Sequence, residues 1–293
     1  MNKEIITRMR TRALIYVGIA AVVYFFVSQA PYNPRSLFTQ PFLVVATTLL
    51  FPLLVWLTAR LAQTARTPLG VLFTGLFLFL FNPGIDKCLS ATDDGLIDLA
   101  SQCMVPFFVY QFKRIRKKNF QRGYFLMFLM GIFCSYTHSG VAIPLCASFL
   151  WVTWQYRERF FKRACWPMVV GFLIGTVMSV ANTTERTDTL PEQFLHISSN
   201  TVEVLGTLWA TKVFVIAVGV TLYLLNTQSG RQMMNNMVKR HYVVCTSLAF
   251  SLISVPLAPL GINNAVTGVC FFSMFWLLFI AKYMTEKYFG LRV

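Results

Sequence analysis

Residues 124–154 read YFLMFLMGIFCSYTHSGVAIPLCASFLWVTW, an apolar stretch of 31 residues whose middle, Ser135-Tyr136-Thr137-His138-Ser139-Gly140, is polar and ends in a helix breaker. A membrane span needs about 20 residues, so the stretch is long for one crossing and short for two. Its flanks decide between them. Lys113, Arg114, Arg116, Lys117, Lys118 and Arg122 precede it, and Arg157, Arg159, Lys162 and Arg163 follow it. Basic loops stay on the cytoplasmic side of a bilayer. If the stretch crosses twice, 22 of the 26 Lys and Arg residues lie inside, and four (Arg35, Lys87, Arg186, Lys212) lie outside or in the outer half. If it crosses once, the split becomes 14 against 12 and the bias disappears. Charge therefore selects a hairpin of two short helices with His138 at its outer tip.

Working outward from the hairpin, apolar runs predict helices near 13–30, 41–59, 69–82, 96–112, 165–181, 203–225, 242–258 and 265–281. The expected fold is an all-α integral membrane protein with about ten membrane segments and both termini cytoplasmic. It forms a single polytopic domain over residues 1–293, with residues 182–201 as its longest external loop. The apolar run after Lys3, Arg8, Arg10 and Arg12 is long for a signal peptide, so it reads as a retained first span.

Composition agrees. The chain is 56% hydrophobic and 13% charged, where soluble domains carry roughly 25% charged residues, and its mean hydropathy is +0.59. The apolar runs are too uniform for the alternating strands of a β-barrel. The net charge of +15 is spread over short clusters between the runs, which excludes a nucleic-acid face and reads as topology and attraction to membrane lipids. Seven cysteines without a CxxC pair indicate neither a disulfide framework nor a zinc site, so no metal is assigned. No Walker A or GxGxxG motif is present, which excludes ATP-driven transport by this chain alone and leaves any cofactor unspecified.

The acids point to the outer face. Eight of the eleven lie outside or in the outer leaflet, and only Glu4, Glu158 and Glu286 lie inside. Asp94, Asp98 and Gln102 recur every four residues and so share one helical face that descends into the bilayer. Asp94 and Asp98 are candidate catalytic acids, as general base or metal ligand, and Gln102 is a candidate substrate contact. Thr92, Asp93 and Asp94 would equally cap the helix and favour its dipole, but Asp98 lies about a turn deeper, where an unpaired carboxylate is costly. His138 is a third catalytic candidate, able to relay a proton or meet a phosphate, or else to hold the hairpin tip by a hydrogen bond. Lys212, about ten residues into the eighth span, could bind a lipid-carrier phosphate, pair with Asp98 or Glu203, or snorkel. Arg186 could grip a phosphate with its planar fork, or be a solvated loop charge. Gly171 and Gly175 form a GxxxG that predicts close helix packing.

Three features occur in order: Ala91-Thr92-Asp93-Asp94-Gly95 leading into a span, the hairpin from Gly131 to Gly140, and Trp166…Gly171…Gly175…Ala181-Asn182…Arg186. Over about residues 85–190 they resemble a family of bacterial polytopic proteins similar to the GT-C glycosyltransferases, which take sugars from polyprenyl-phosphate carriers on the outer membrane face. In that family the hairpin tip carries Asn-Glu, where this chain has His138-Ser139, and the catalytic acid sits in the first external loop. Here that loop, residues 31–40, contains no acid. The resemblance implies a protein of the bacterial inner membrane handling a polyprenyl-phosphate-linked sugar in cell-envelope glycan assembly. Either another acid such as Asp94 serves, or the chain is an inactive relative. A non-catalytic subunit that scaffolds other envelope-assembly proteins, and a transporter or lipid flippase, are the competing readings.

Overall fold

The computed structural model describes residues 41–82, 139–156, 166–175, 197–255 and 262–288, and short pieces at 96, 99–100, 102–107, 109–110, 128–129 and 131–132. Among the described residues every element is helical and none is a strand. The elements are α1 (Pro41–Ala62), α2 (Pro68–Phe81), α3 (Ser139–Tyr156), α4 (Ile197–Ala210), α5 (Lys212–Asn226), α6 (Gln228–Arg240), α7 (Tyr242–Ser254) and α8 (Ile262–Tyr288). They divide into two compact units. One comprises residues up to Pro106 together with those from Lys282 on, and the other runs from Phe107 to Ala281.

In the first unit α1 and α2 form a helical hairpin. α1 stops because Gln63 takes a left-handed conformation, φ 66°, the usual way to end a helix, although glycine or asparagine normally occupies that place. The Thr64 N–H turns back to the Ala59 carbonyl at 2.8 Å. α2 starts at Pro68, with the Thr67 hydroxyl accepting from the Gly70 N–H at 3.0 Å, so cap and proline both favour a start there. The buried hydroxyls of Thr64 and Thr74 meet at 2.7 Å. Thr74 also reaches the Gly70 carbonyl at 2.9 Å and Thr64 the Ala59 carbonyl at 3.3 Å. Polar groups thus point inward, while on the opposite face of α2 Leu69, Leu72, Leu76 and Leu80 are 52–70% exposed. Their spacing of three and four makes one continuous leucine stripe.

In the second unit α3 packs along α7. Ser148 and Ser247, both buried, touch through their hydroxyls at 2.8 Å. The Trp151 indole donates to the Tyr242 hydroxyl at 2.8 Å, which donates to Gln155 Oε1 at 2.6 Å. The helical segment Trp166–Gly175 crosses residues 128–132 at close range: a Cβ on Gly131 would stand 2.6 Å from the Met168 carbonyl, and one on Gly171 would overlap the Phe128 carbonyl. Gly171, the first glycine of the predicted GxxxG, therefore does bring two backbones together, with Gly131 as its counterpart on the other segment.

Helices α4 to α7 follow one another with single residues between them: Thr211, Thr227 and His241. Thr211 and Thr227 are extended, with φ/ψ of −86°/122° and −108°/137°. Thr227 ends α5 and begins α6, its hydroxyl accepting from the Gly230 N–H at 3.1 Å. Only glycine fits at 230, since a Cβ there would fall on the Leu224 carbonyl. α8 supplies much of the core, with Phe271, Phe272, Phe275 and Phe279 fully buried. Its Trp276 indole donates to the Thr221 hydroxyl of α5 at 2.8 Å.

Two expectations change. The run 203–225 is not one helix: α4 begins at Ile197, so the preceding loop ends before 201, and α4 meets α5 at 85°. Residues 228–240, which lie between the predicted helices 203–225 and 242–258, form α6. Among the described residues one helix, Val266–Lys287, is long and apolar enough to cross a membrane, and the bent pair Thr201–Ala210 with Lys212–Asn226 makes a second if taken together. The other apolar helices are shorter. The 14 residues of α2 rise about 21 Å, against a hydrocarbon core of about 30 Å. The span at 13–30 and the hairpin tip lie outside the described residues.

Candidate functional site

Of the six residues singled out from sequence, Asp94, Asp98, His138 and Arg186 lie outside the described residues. Gln102 and Lys212 are described, and they belong to different units.

Gln102 sits in the first unit and is 5% exposed. Its Oε1 accepts from Asn82 Nδ2 at 2.7 Å. Asn82, equally buried, is the residue on which α2 ends, and its N–H closes the helix on the Leu78 carbonyl at 2.9 Å. The Asn82 Oδ1 meets no donor among the described residues. A buried acceptor without a donor costs about 1–3 kcal/mol, so this oxygen is a ready contact for a hydroxyl or amide. Next to Gln102, Cys103 Sγ donates to the Leu50 carbonyl at 3.4 Å, which ties the piece to α1. Sequence reasoning found Gln102 by its spacing and missed Asn82, because an asparagine before Pro83 reads as a span end. The useful signal was its place at the edge of the acid-bearing segment 86–98. Replacing Gln102 by leucine should strand Asn82 Nδ2 as well and lower stability by about 1–3 kcal/mol, read as a lower unfolding temperature in detergent.

Lys212 does not lie ten residues into a straight span. It is the first residue of α5, exposed, directly after the 85° break. The break is pinned from both sides: the Thr211 hydroxyl donates to the Leu208 carbonyl at 2.7 Å and accepts from Cys270 Sγ of α8 at 3.4 Å. A cation at a helix N-terminus faces the positive end of the dipole, so the lysine is placed against helix electrostatics. Among the described residues no ion pair joins it to Glu203, which is exposed on α4.

Two polar residues carry structure that the sequence reading missed. Lys282, taken as a cytoplasmic charge beyond the last span, is 3% exposed, and its Nζ donates to the Ala62 carbonyl at 2.8 Å, with Glu286 Oε1 at 3.8 Å. It caps the C-terminus of α1, where a cation is favoured by both the dipole and the orphan carbonyl. Lys282→Met, which keeps the length and removes the donor, should destabilise the protein by about 1–3 kcal/mol, measured as a loss of thermal stability relative to Lys287→Met. His241, between α6 and α7, is 2% exposed and stacks on Phe279 with ring centres 3.9 Å apart. Its neighbours Lys239 and Arg240 hid it inside an apparent loop.

Among the described residues no cluster of His, Cys, Asp or Glu could hold a metal ion, and Cys103, Cys146, Cys245 and Cys270 are free thiols. No protein-family model, no curated protein and no solved structure matches the chain.

Proposed function

We propose that the chain is a multi-pass protein of a bacterial inner membrane, of about ten segments, that handles a lipid-linked sugar on the outer face in GT-C-like fashion. The membrane part is supported by an exposed apolar stripe on a helix whose other side buries polar groups. Threonine and serine hydroxyls pair in the interior while Leu69, Leu72, Leu76 and Leu80 face outward. That is the arrangement an apolar solvent favours and water does not. Pro52 inside α1 and Pro144 inside α3 agree with it, since membrane helices accept interior prolines more readily than soluble ones.

The observation that carries the sugar-handling part is the buried Asn82–Gln102 pair. Two amides held in an apolar interior, one with an acceptor still available, are groups that recognise hydroxyls. Gln102 is also the deepest member of the face that Asp94 and Asp98 share by spacing. In this reading Asp94 or Asp98 takes the proton of the acceptor hydroxyl as it attacks the sugar carbon, and the carrier phosphate leaves with the electron pair of the broken bond.

The test is mass spectrometry of lipid-linked intermediates and surface glycans in a deletion strain and its wild-type complement. A lost sugar with accumulated carrier-linked donor, restored by the complement, is the expected result. Unchanged glycans in both strains would overturn it.

A transporter or lipid flippase is a second reading, favoured by the break at Thr211 with Lys212 opening the next helix. Interrupted helices whose ends meet charged cargo are a transporter device. Substrate-dependent flux in proteoliposomes, with unchanged glycans, is its expected result.

A further inference from the structure

We propose that a cavity in the second unit, bounded by α5, α7 and α8 and edged by α6, holds one acyl chain of an anionic glycerophospholipid. The lipid's ester oxygen meets Ser273 and its phosphate lies on the basic face of α6.

The cavity measures about 440 Å3, and its walls are mostly apolar, including Phe214 and Ala217 of α5, Leu248 and Leu252 of α7, and Trp276 of α8. This is the size and character of a site for one apolar ligand. Ser273, on the same wall, is 1% exposed, and its Oγ has no hydrogen-bond partner among the described residues. The contrast with its neighbours is informative. A hydroxyl inside a helix normally bonds back to a carbonyl one turn earlier, as Thr221, Thr246, Ser247 and Ser251 all do. Thr221 also accepts the Trp276 indole. Among the described residues Ser273 is the one hydroxyl on this wall without a hydrogen-bond partner, so the occupant is an apolar chain carrying an acceptor oxygen.

The headgroup follows from α6. Gly230, Met233 and Met237 are buried, and the exposed positions include Arg231, whose Nε donates to the Leu225 carbonyl at 2.6 Å, Lys239 and Arg240, with no acid anywhere in Gln228–Arg240. Val238 lines the cavity, next in the chain to Lys239. Lys239 projects about 100° round the helix from Val238, so the cavity is edged by a helix that carries cations and no acid, which favours an anionic headgroup over a zwitterionic one. The levels agree as well. The His241–Phe279 stack aligns the end of α6 with Phe279, and Ser273 lies six residues earlier on α8, about 9 Å along its axis. Phosphate, ester and chain would meet Lys239, Ser273 and the cavity in that order.

This inference rests on the chain being seated in a bilayer and not on sugar transfer. The experiment is native mass spectrometry of the detergent-purified full chain offered equal phosphatidylglycerol and phosphatidylcholine. The expected result is selective retention of phosphatidylglycerol, lowered about tenfold by Ser273→Ala, the change one lost hydrogen bond produces, and abolished by Leu248→Trp, which fills the cavity. Arg231→Gln with Lys239→Gln should equalise the two lipids. Ala249→Phe is a second filling variant should Leu248→Trp not fold. Equal retention of both lipids by the wild type, or a folded cavity-filled variant that still binds phosphatidylglycerol, overturns the site. A chain that stays monodisperse in water without detergent overturns the membrane reading instead.

Discussion

Gly171→Leu is expected to abolish the folded protein, and Gly171→Ala to weaken it by about 1–3 kcal/mol, the usual range for overpacking. The sign of the alanine result is the discriminating part. In an exposed helix, alanine is better than glycine by about 0.5–1 kcal/mol. At 171 the added Cβ runs into the Phe128 carbonyl, and at 131 it runs into that of Met168. These obstacles are backbone atoms, which cannot rotate aside as a side chain would. Gly206 and Gly219 are the controls, since a Cβ at either meets nothing within 4 Å. Gly206→Ala and Gly219→Ala should raise the unfolding temperature in detergent, while Gly131→Ala and Gly171→Ala lower it. Four substitutions of one kind with the same sign would contradict the close crossing.

On the sugar-transfer proposal, Asp94→Asn combined with Asp98→Asn is expected to lower the transfer rate by about 10²–10⁴-fold, the contribution of a positioned general base. The substitution keeps size and hydrogen-bonding reach and removes only the negative charge. A merely capping role for Asp94 would not respond so strongly, because asparagine caps a helix about as well as aspartate. Complementing the deletion strain with the double variant therefore separates the roles. Lost glycan with normal protein level supports catalysis, whereas full restoration would leave the scaffold or transport reading in its place.

Helix location was largely legible in the sequence, because hydropathy marks where a chain can leave water. The runs read at 41–59, 69–82, 242–258 and 265–281 meet α1, α2, α7 and α8. The break between α4 and α5 was not legible. No proline or glycine marks it, and the apolar run continues across it. The chain turns at Thr211, a β-branched residue suited to extended backbone, whose hydroxyl takes the Leu208 carbonyl that the helix releases. α6 was missed for the opposite reason. Its apolar side is only Gly230, Met233 and Met237, too thin to stand out among the polar residues of QSGRQMMNNMVKR. Of the candidate site, spacing located Gln102, while Asn82 required the fold, because twenty residues separate the pair in the chain.

The bond from Lys282 to the Ala62 carbonyl also sets an order of events during synthesis. It joins residues 220 positions apart, and the unit it closes is made from both ends of the chain. At roughly 5–20 residues per second, α1 waits some 11–44 s after leaving the ribosome before its last carbonyl can be capped. Throughout that interval the α1–α2 hairpin is held by its turn, the Thr64–Thr74 bond and the contacts of Gln102 and Cys103, without its C-terminal cap. A ribosome stalled anywhere before codon 282 thus holds a nascent chain whose α1–α2 hairpin is still uncapped, which makes that hairpin a natural point of inspection for cellular quality control.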